Sequence, residues 1–494
     1  MREKESSITF SYLMQAAGKR SGEGIPGDNL FREIGFDHEN ARLGWVIPPG
    51  WKKIEEQLQR FLEIVKEKNT FIFSGMGGSI NTVKALIEIL GEQSENRLYA
   101  IDSLDPVALE ELLSSIIDLS KTLVVGISKS GTTEETQNLL KTVREIFQSR
   151  GLSYRNHFLW LTDLPNRAKI ENVSWQNVEI LPIQVDEGTD IGGRFSAPHT
   201  LILLLPLLLL LDGDIIELKT VWDEYLALRE RLILEAACKA SELAHKNTRC
   251  FAVVLEEPLT SALRTWITQL FQESLGSKIE GFNPKTLVLT PNDIPTGFES
   301  TRFDIASSKL IIKAMLTMYL FEVFVAVFAY YKGINFVNQP EVENYKKRMR
   351  EVSSERVPQP ERVSLTLLIE RIKRLLTGKP NIRFIEVVCY WHLRERERNQ
   401  LNATLRATFP DKEILVFVGS DWNHHSYQAA SKNEDTLFVI LTSSDYETKI
   451  PGIKEHVLRQ NIATLKTIAY ATYSTLEDKA GYFELITNKK DISR

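Results

Sequence analysis

Short apolar runs alternate along this chain with longer stretches whose apolar positions recur every three or four residues. Lys52–Lys68 follows helical spacing, with Ile54, Leu58, Phe61, Leu62 and Val65 on one face. The runs Thr70–Ser74, Leu98–Asp102, Thr122–Ile127, His157–Thr162 and Val178–Ile183 read as strands. The pattern restarts with strands at Cys250–Leu255, Thr286–Leu289, Phe384–Cys389, Ile414–Val418 and Leu437–Leu441. Long helices are expected at Thr220–Ala244, Leu259–Leu275 and Lys309–Tyr331. Such alternation predicts βαβ units and mainly parallel sheets, and a run such as TLVVGI suits a strand covered on both faces. The fold class is therefore α/β, with two α/β domains meeting near Asp212–Asp214. Residues 1–50 read as a polar lead-in that ends at Pro48, Pro49 and Gly50. A first domain is expected over 51–213, and a second over 214–494 with a C-terminal helical segment. Val352–Arg362 is a polar, proline-containing connector.

Two apolar runs raise the question of a membrane. Leu201–Leu211 is too short to span one and contains Pro206, and Ala314–Tyr331 carries Glu322. Both read as buried core helices. The segment Met1–Arg20 lacks the apolar stretch of a signal peptide. With 43% hydrophobic and 25% charged residues the composition is that of a soluble globular protein, and 494 residues suffice for two or three cores. A net charge of -5 argues against nucleic-acid binding. The 3 cysteines, Cys238, Cys250 and Cys389, lie in apolar segments without CxxC spacing. They read as reduced packing residues, so a cytoplasmic location is expected and a zinc site is not.

Four motifs carry chemistry. Phe71–Ser79 runs a strand into GMGGS and then a helix; its glycines let backbone approach a ligand, and the helix start offers free N–H groups to an anion. Ser128–Thr136 (SKSGTTEET) also follows a strand and opens a helix, gathering Ser128, Lys129, Ser130, Thr132 and Thr133 around one turn. Thr132 and Glu135 have capping-box spacing, but one cap accounts for one hydroxyl only. Two such turns in one domain point to a single monophosphate site at the carboxyl edge of the sheet. No GxxxxGK[ST] is present, so this is not a Walker loop. Asp190–Ser196 (DIGGRFS) sets an arginine behind two glycines, where its guanidinium can stabilise developing negative charge. Gln272–Lys278 (QESLGSK) places Glu273 near the end of an apolar helix, a rigid mount for a general base. Trp391–Arg398 (WHLRERER) reads as an exposed helix with internal ion pairs.

As an ordered set these motifs resemble glucose-6-phosphate isomerase, a family built from two sugar-isomerase (SIS) domains. Lys332–Lys346 is similar to that family's lysine segment. Trp422–Gln428 (WNHHSYQ) resembles the histidine motif of the isomerase half of transaldolase–isomerase fusion enzymes, in which the histidine follows the lysine, as it does here. Asn40–Trp45 is similar to the lead-in of that half. The resemblance implies two three-layer αβα domains and an aldose–ketose isomerase acting through a cis-enediol, with no metal or redox cofactor. It implies Glu273 as the shuttling base, Arg194 as the stabiliser of the intermediate, and His425 (with His424 beside it) and Lys346 for ring opening. Gly78, Ser79, Ser128, Lys129, Ser130, Thr132 and Thr133 would grip the phosphate, and Gln339 would contact the sugar. A hexose phosphate ligand, a homodimer whose histidine crosses between subunits, and a separate transaldolase partner belong to the same set of expectations. So do glycolysis and gluconeogenesis as its setting. The scaffold also serves sugar-phosphate sensors, and mannose 6-phosphate fits the same motifs.

Overall fold

The computed structural model describes residues 2–19, 21–38, 40–173, 175–277, 281–291, 294–352, 357–430 and 433–486. Lys278 and residues 353–356 of the expected connector lie outside them.

Strands β1 (Thr70–Ser74), β2 (Arg97–Ile101), β3 (Thr122–Ile127), β4 (Phe158–Thr162) and β5 (Glu179–Pro182) form one parallel sheet in the order β2-β1-β3-β4-β5. Four of them are buried along nearly their whole length, which explains why they read as continuous apolar runs rather than alternating ones. Helix α1 (Gly78–Leu90) follows β1, and α2 (Glu134–Ser149) follows β3. After α3 (Leu201–Leu210) and α4 (Ile215–His245), strands β6 (Cys250–Val254), β7 (Lys285–Leu289) and β8 (Glu299–Thr301) make a smaller parallel sheet, β8-β6-β7. Helices α5 (Leu259–Leu275), α6 (Leu310–Lys332) and α7 (Pro340–Val352) come next. A second five-stranded parallel sheet is built from β9 (Glu361–Val363), β10 (Phe384–Cys389), β11 (Glu413–Val418), β12 (Thr436–Ser443) and β13 (Ala480–Leu485), ordered β9-β13-β12-β10-β11. Helix α8 (Glu455–Leu476) therefore does not close the chain; β13 follows it and takes an interior place in the sheet.

Contacts divide the chain into two compact units that interleave in sequence. The first holds Met1–Ile101, Ile117–Thr136 and Leu152–Gln339; the second holds Asp102–Ile116, Gln137–Gly151 and Pro340–Arg494. The boundary expected near Asp212–Asp214 falls inside the first unit, at the turn between α3 and α4. The small sheet belongs to the first unit as well.

In the first unit α6 is apolar on every side, and it packs along α4 and α5. It is long and apolar enough to cross a membrane, yet 89% of its apolar window is buried inside the protein. Helix α3 is buried throughout. The first 50 residues do more than lead in: helix Arg2–Gly18 packs against α4, and Leu13, Ala16, Trp45 and Val46 are fully buried. Cys250 and Cys389 are buried free thiols, and Cys238 is partly exposed.

In the second unit the basic segment behaves differently from the expected exposed helix. Its helix begins only at Glu395, Trp391 is buried in the core, and Arg394 pairs with Glu111 at 2.6 Å as well as with Glu397 at 3.7 Å.

Candidate functional site

The order β2-β1-β3-β4-β5 makes β1 and β3 neighbours whose onward connections leave toward opposite edges of the sheet. In open parallel sheets ligands sit outside the carboxyl ends of such a strand pair, where the two turns diverge. Here those turns are the two glycine–hydroxyl motifs.

After β1, Gly77 adopts φ 57 and α1 begins at Gly78 with no side-chain cap on its N–H groups. A Cβ at Gly78 would lie 2.5 Å from the Gly193 carbonyl and 2.8 Å from the Arg194 Cα. Glycine thus allows this turn to abut the DIGGRFS loop, and Ser79 is buried in the junction. After β3, Gly131 takes φ 67. Ser128 Oγ and Thr133 Oγ1 are 3.0 Å apart, and Ser130 Oγ accepts from the backbone N–H of Thr132 at 3.2 Å and from its hydroxyl at 3.1 Å. Ser130 and Thr132 are exposed and Ser128 is buried. Helix α2 opens at Glu134, one residue later than the Thr132–Glu135 capping spacing suggests.

Lys129 does not join the hydroxyls. Its ammonium donates to the carbonyls of Ile191 at 2.6 Å and Thr189 at 3.2 Å, and lies 3.8 Å from the Asp163 carboxylate. These acceptors draw it onto the loop that leads to Arg194. Burial, helped by the nearby Arg42 and opposed by Asp163, Asp190 and Asp37, lowers its pKa to about 8. Burial likewise raises Asp163 to about 6, against the pull of Lys129 and Arg42.

Arg194 and Glu273 meet in the structure. Arg194 sits on a single turn, Gly193–Phe195, and is 5% exposed; Glu273, near the end of α5, is 7% exposed. Arg194 Nη1 donates to Glu273 Oε1 at 3.0 Å, Nε to Ser274 Oγ at 2.7 Å, and Nη2 to the Phe336 carbonyl at 2.7 Å. The other oxygen of Glu273 accepts from Gln269 Nε2 at 2.8 Å, and Gln269 Oε1 accepts from Asn81 Nδ2 at 3.0 Å. A carboxylate this deeply buried is sustained by such a partner set and would be costly without it.

Residues 62–214 match the phosphoglucose isomerase family. A glucose-6-phosphate isomerase of Thermus thermophilus is 31% identical over 244 residues, 48% of this chain and 56% of that protein. One from Campylobacter jejuni is 27% identical over 268 residues, 52% of this chain and 60% of that protein. Through this region the chain is similar to that family. It spans little more than half the length of these curated relatives. A solved hypothetical protein of Thermus thermophilus shares the fold with a TM-score of 0.53 at 22% identity, covering 70% of this chain and 96% of its own. The glucose-6-phosphate isomerase of Chlamydia trachomatis does so at 0.51 and 16% identity, covering 76% and 88%.

The remaining residues expected from the resemblance are divided between the units. Gln339 is exposed at the end of the first. Lys346 and His425 belong to the second. There Lys346, on α7, pairs with Glu343 at 3.2 Å with 38% of its side chain exposed. His425 is buried, with Nδ1 2.6 Å from Ser426 Oγ and its ring 5.4 Å from that of Phe417; His424 is partly exposed.

Three polar residues around the Arg194–Glu273 pair escaped sequence reading: Gln269, Ser274 and Asn81. Gln269 carried a usable signal, since it stands four residues before Glu273 and so lies on the same helix face. Asn81 carried none, because its partner is 188 residues away.

Proposed function

We propose that this chain is an aldose–ketose isomerase that interconverts glucose 6-phosphate and fructose 6-phosphate. The observation that carries the reading is the buried Arg194–Glu273 pair, set beside a glycine turn at the carboxyl edge of the sheet. The match of residues 62–214 to the phosphoglucose isomerase family supports it.

In the proposed reaction the sugar phosphate enters with its phosphate at the turns after β1 and β3, held by N–H groups of Gly78 and Ser79 and by hydroxyls of Ser128, Ser130, Thr132 and Thr133. The Glu273 carboxylate removes the proton from carbon 2 of the open aldose, giving a cis-enediolate with its charge on the oxygen of carbon 1. The hydroxyl proton on the oxygen of carbon 2 passes to that oxygen, and the Glu273 carboxyl returns its proton to carbon 1, leaving the ketose with no net proton gained or lost. Arg194 balances the charge that develops on the enediol oxygen. Its three hydrogen bonds fix the guanidinium before substrate arrives, so little reorganisation accompanies the reaction. Lys129 acts indirectly, holding the Thr189–Ile191 carbonyls ahead of Arg194. His425, Lys346 and Gln339 are proposed for ring opening and sugar contact, and a homodimer as the working assembly.

The test is a coupled assay with fructose 6-phosphate and glucose-6-phosphate dehydrogenase. The wild-type chain is expected to turn over. Glu273→Gln should bind sugar phosphate and lose roughly 10² to 10⁴ in kcat. Retention of more than about a tenth of the activity sinks the base assignment. Binding without turnover by the wild type supports a sensor instead.

A further inference from the structure

We propose that Asn81 is a positioning residue for Glu273, acting through Gln269 to keep an N–H, and never a carbonyl oxygen, turned toward the base. The inference rests on the isomerase reading and adds to it a residue outside the four motifs' expected chemistry.

The argument is one of hydrogen-bond polarity. A carboxylate only accepts, so Glu273 Oε2 must face the Nε2 end of Gln269, as it does at 2.8 Å. That leaves Gln269 Oε1 pointing away, toward a group that must donate. Asn81 Nδ2 supplies the donor at 3.0 Å. All three side chains are buried: Asn81 is 2% exposed and Gln269 4%. Water has little access to replace either bond, so both bonds hold the amide in this orientation. Arg194 is the charged group paired with Glu273, and Asp37 lies within electrostatic reach of Arg194.

The relay has a defined origin. Asn81 sits in the first turn of α1, and its backbone N–H bonds the Gly77 carbonyl at 3.0 Å. The turn assigned to the phosphate and the base on α5 are thereby joined by two side-chain amides, along the line where α1 and α5 pack. Loss of the Asn81 donor removes the bond that turns Gln269 Oε1 away from Glu273. A half-turn of the amide would set that oxygen against the Glu273 carboxylate, acceptor facing acceptor. An aspartate at the same position would do this actively, since it accepts from Gln269 Nε2 and draws that end away from Glu273.

The experiment uses the full chain with Asn81→Leu, which removes the donor, and Asn81→Asp, which keeps the shape and reverses the polarity. Both are expected to lower kcat by roughly 10- to 100-fold with KM for fructose 6-phosphate within about twofold of wild type. In both, the acid limb of the kcat–pH profile should move to higher pH. A packing role alone would scale the rate equally at every pH. A kcat within about twofold of wild type and an unmoved acid limb in both variants overturn the proposal. A wild-type chain with no turnover would defeat the isomerase reading and leave the relay to a second measurement. That measurement is the carbon-13 carboxyl signal of Glu273, identified by its loss in Glu273→Gln. At one fixed pH the signal should shift in both Asn81 variants relative to wild type, and coincident spectra overturn the relay whatever the activity.

Discussion

Arg194 donates from three different nitrogens to three partners that point in different directions: a carboxylate, a hydroxyl and a carbonyl. The planar fork of a guanidinium suits that set, whereas a lysine offers one ammonium on a flexible stem. Arg194→Lys is therefore expected to keep the charge, retain the fold and lose about 10² to 10³ in kcat, read in the same coupled assay. Asp163 gives a separate prediction for stability. Its folded pKa is raised to about 6 from 3.8, so between these values the folded chain holds a proton that the unfolded chain has released. Stability from this group accordingly falls as pH rises from about 4 to about 6. Urea midpoints measured across that range should show the decline in wild type, and Asp163→Asn should flatten it.

At the scale of elements, α5 decides where the base stands. Its sequence was legible because nearly every position is apolar or small up to Gln272, and Leu259–Leu275 was located to the residue. Phe271, two residues before Glu273, stacks on Phe324 of α6 with ring centroids 5.5 Å apart and meets Phe251 of β6 edge-on at 5.2 Å. Phe271→Ala should cost about 3–5 kcal/mol in urea unfolding and lower kcat as well, since the end of α5 loses its lateral support. An unchanged kcat with the full stability loss would separate the two roles. The strands missed in sequence include β8, β9 and β13. β8 and β9 are three residues long and edge strands, and β13 mixes Gly, Tyr and Glu with apolar residues. Short or mixed segments leave little periodicity to read.

For the whole molecule, the interleaving of the two units has a consequence for truncation. Residues 102–116 and 137–151 belong with Pro340–Arg494. Within that unit the Asp105 carboxylate accepts from the His392 N–H at 2.6 Å, and Thr142 accepts from Asn461 at 3.0 Å. A chain ended after Gln339 loses these partners. It is expected to melt several degrees below the full chain and to aggregate, which calorimetry and size-exclusion chromatography would show. A fragment that melts with the full chain and stays monodisperse would contradict the division.

Local pattern determined the parallel strands of the first sheet, the long helices and the two turns that follow β1 and β3, and it singled out Arg194 and Glu273 as candidates. These are properties of neighbouring residues: period, glycine placement and hydroxyl clustering are all present in short windows. Tertiary structure alone decided three things. It joined Arg194 to a glutamate 79 residues away, turned Lys129 onto loop carbonyls and away from the hydroxyls, and brought Asn81 to Gln269. It also drew two segments of the first half of the chain into the second unit. The physical reason is the same in each case. A buried polar group must find a partner of the right polarity wherever packing places one, and sequence distance does not enter that requirement.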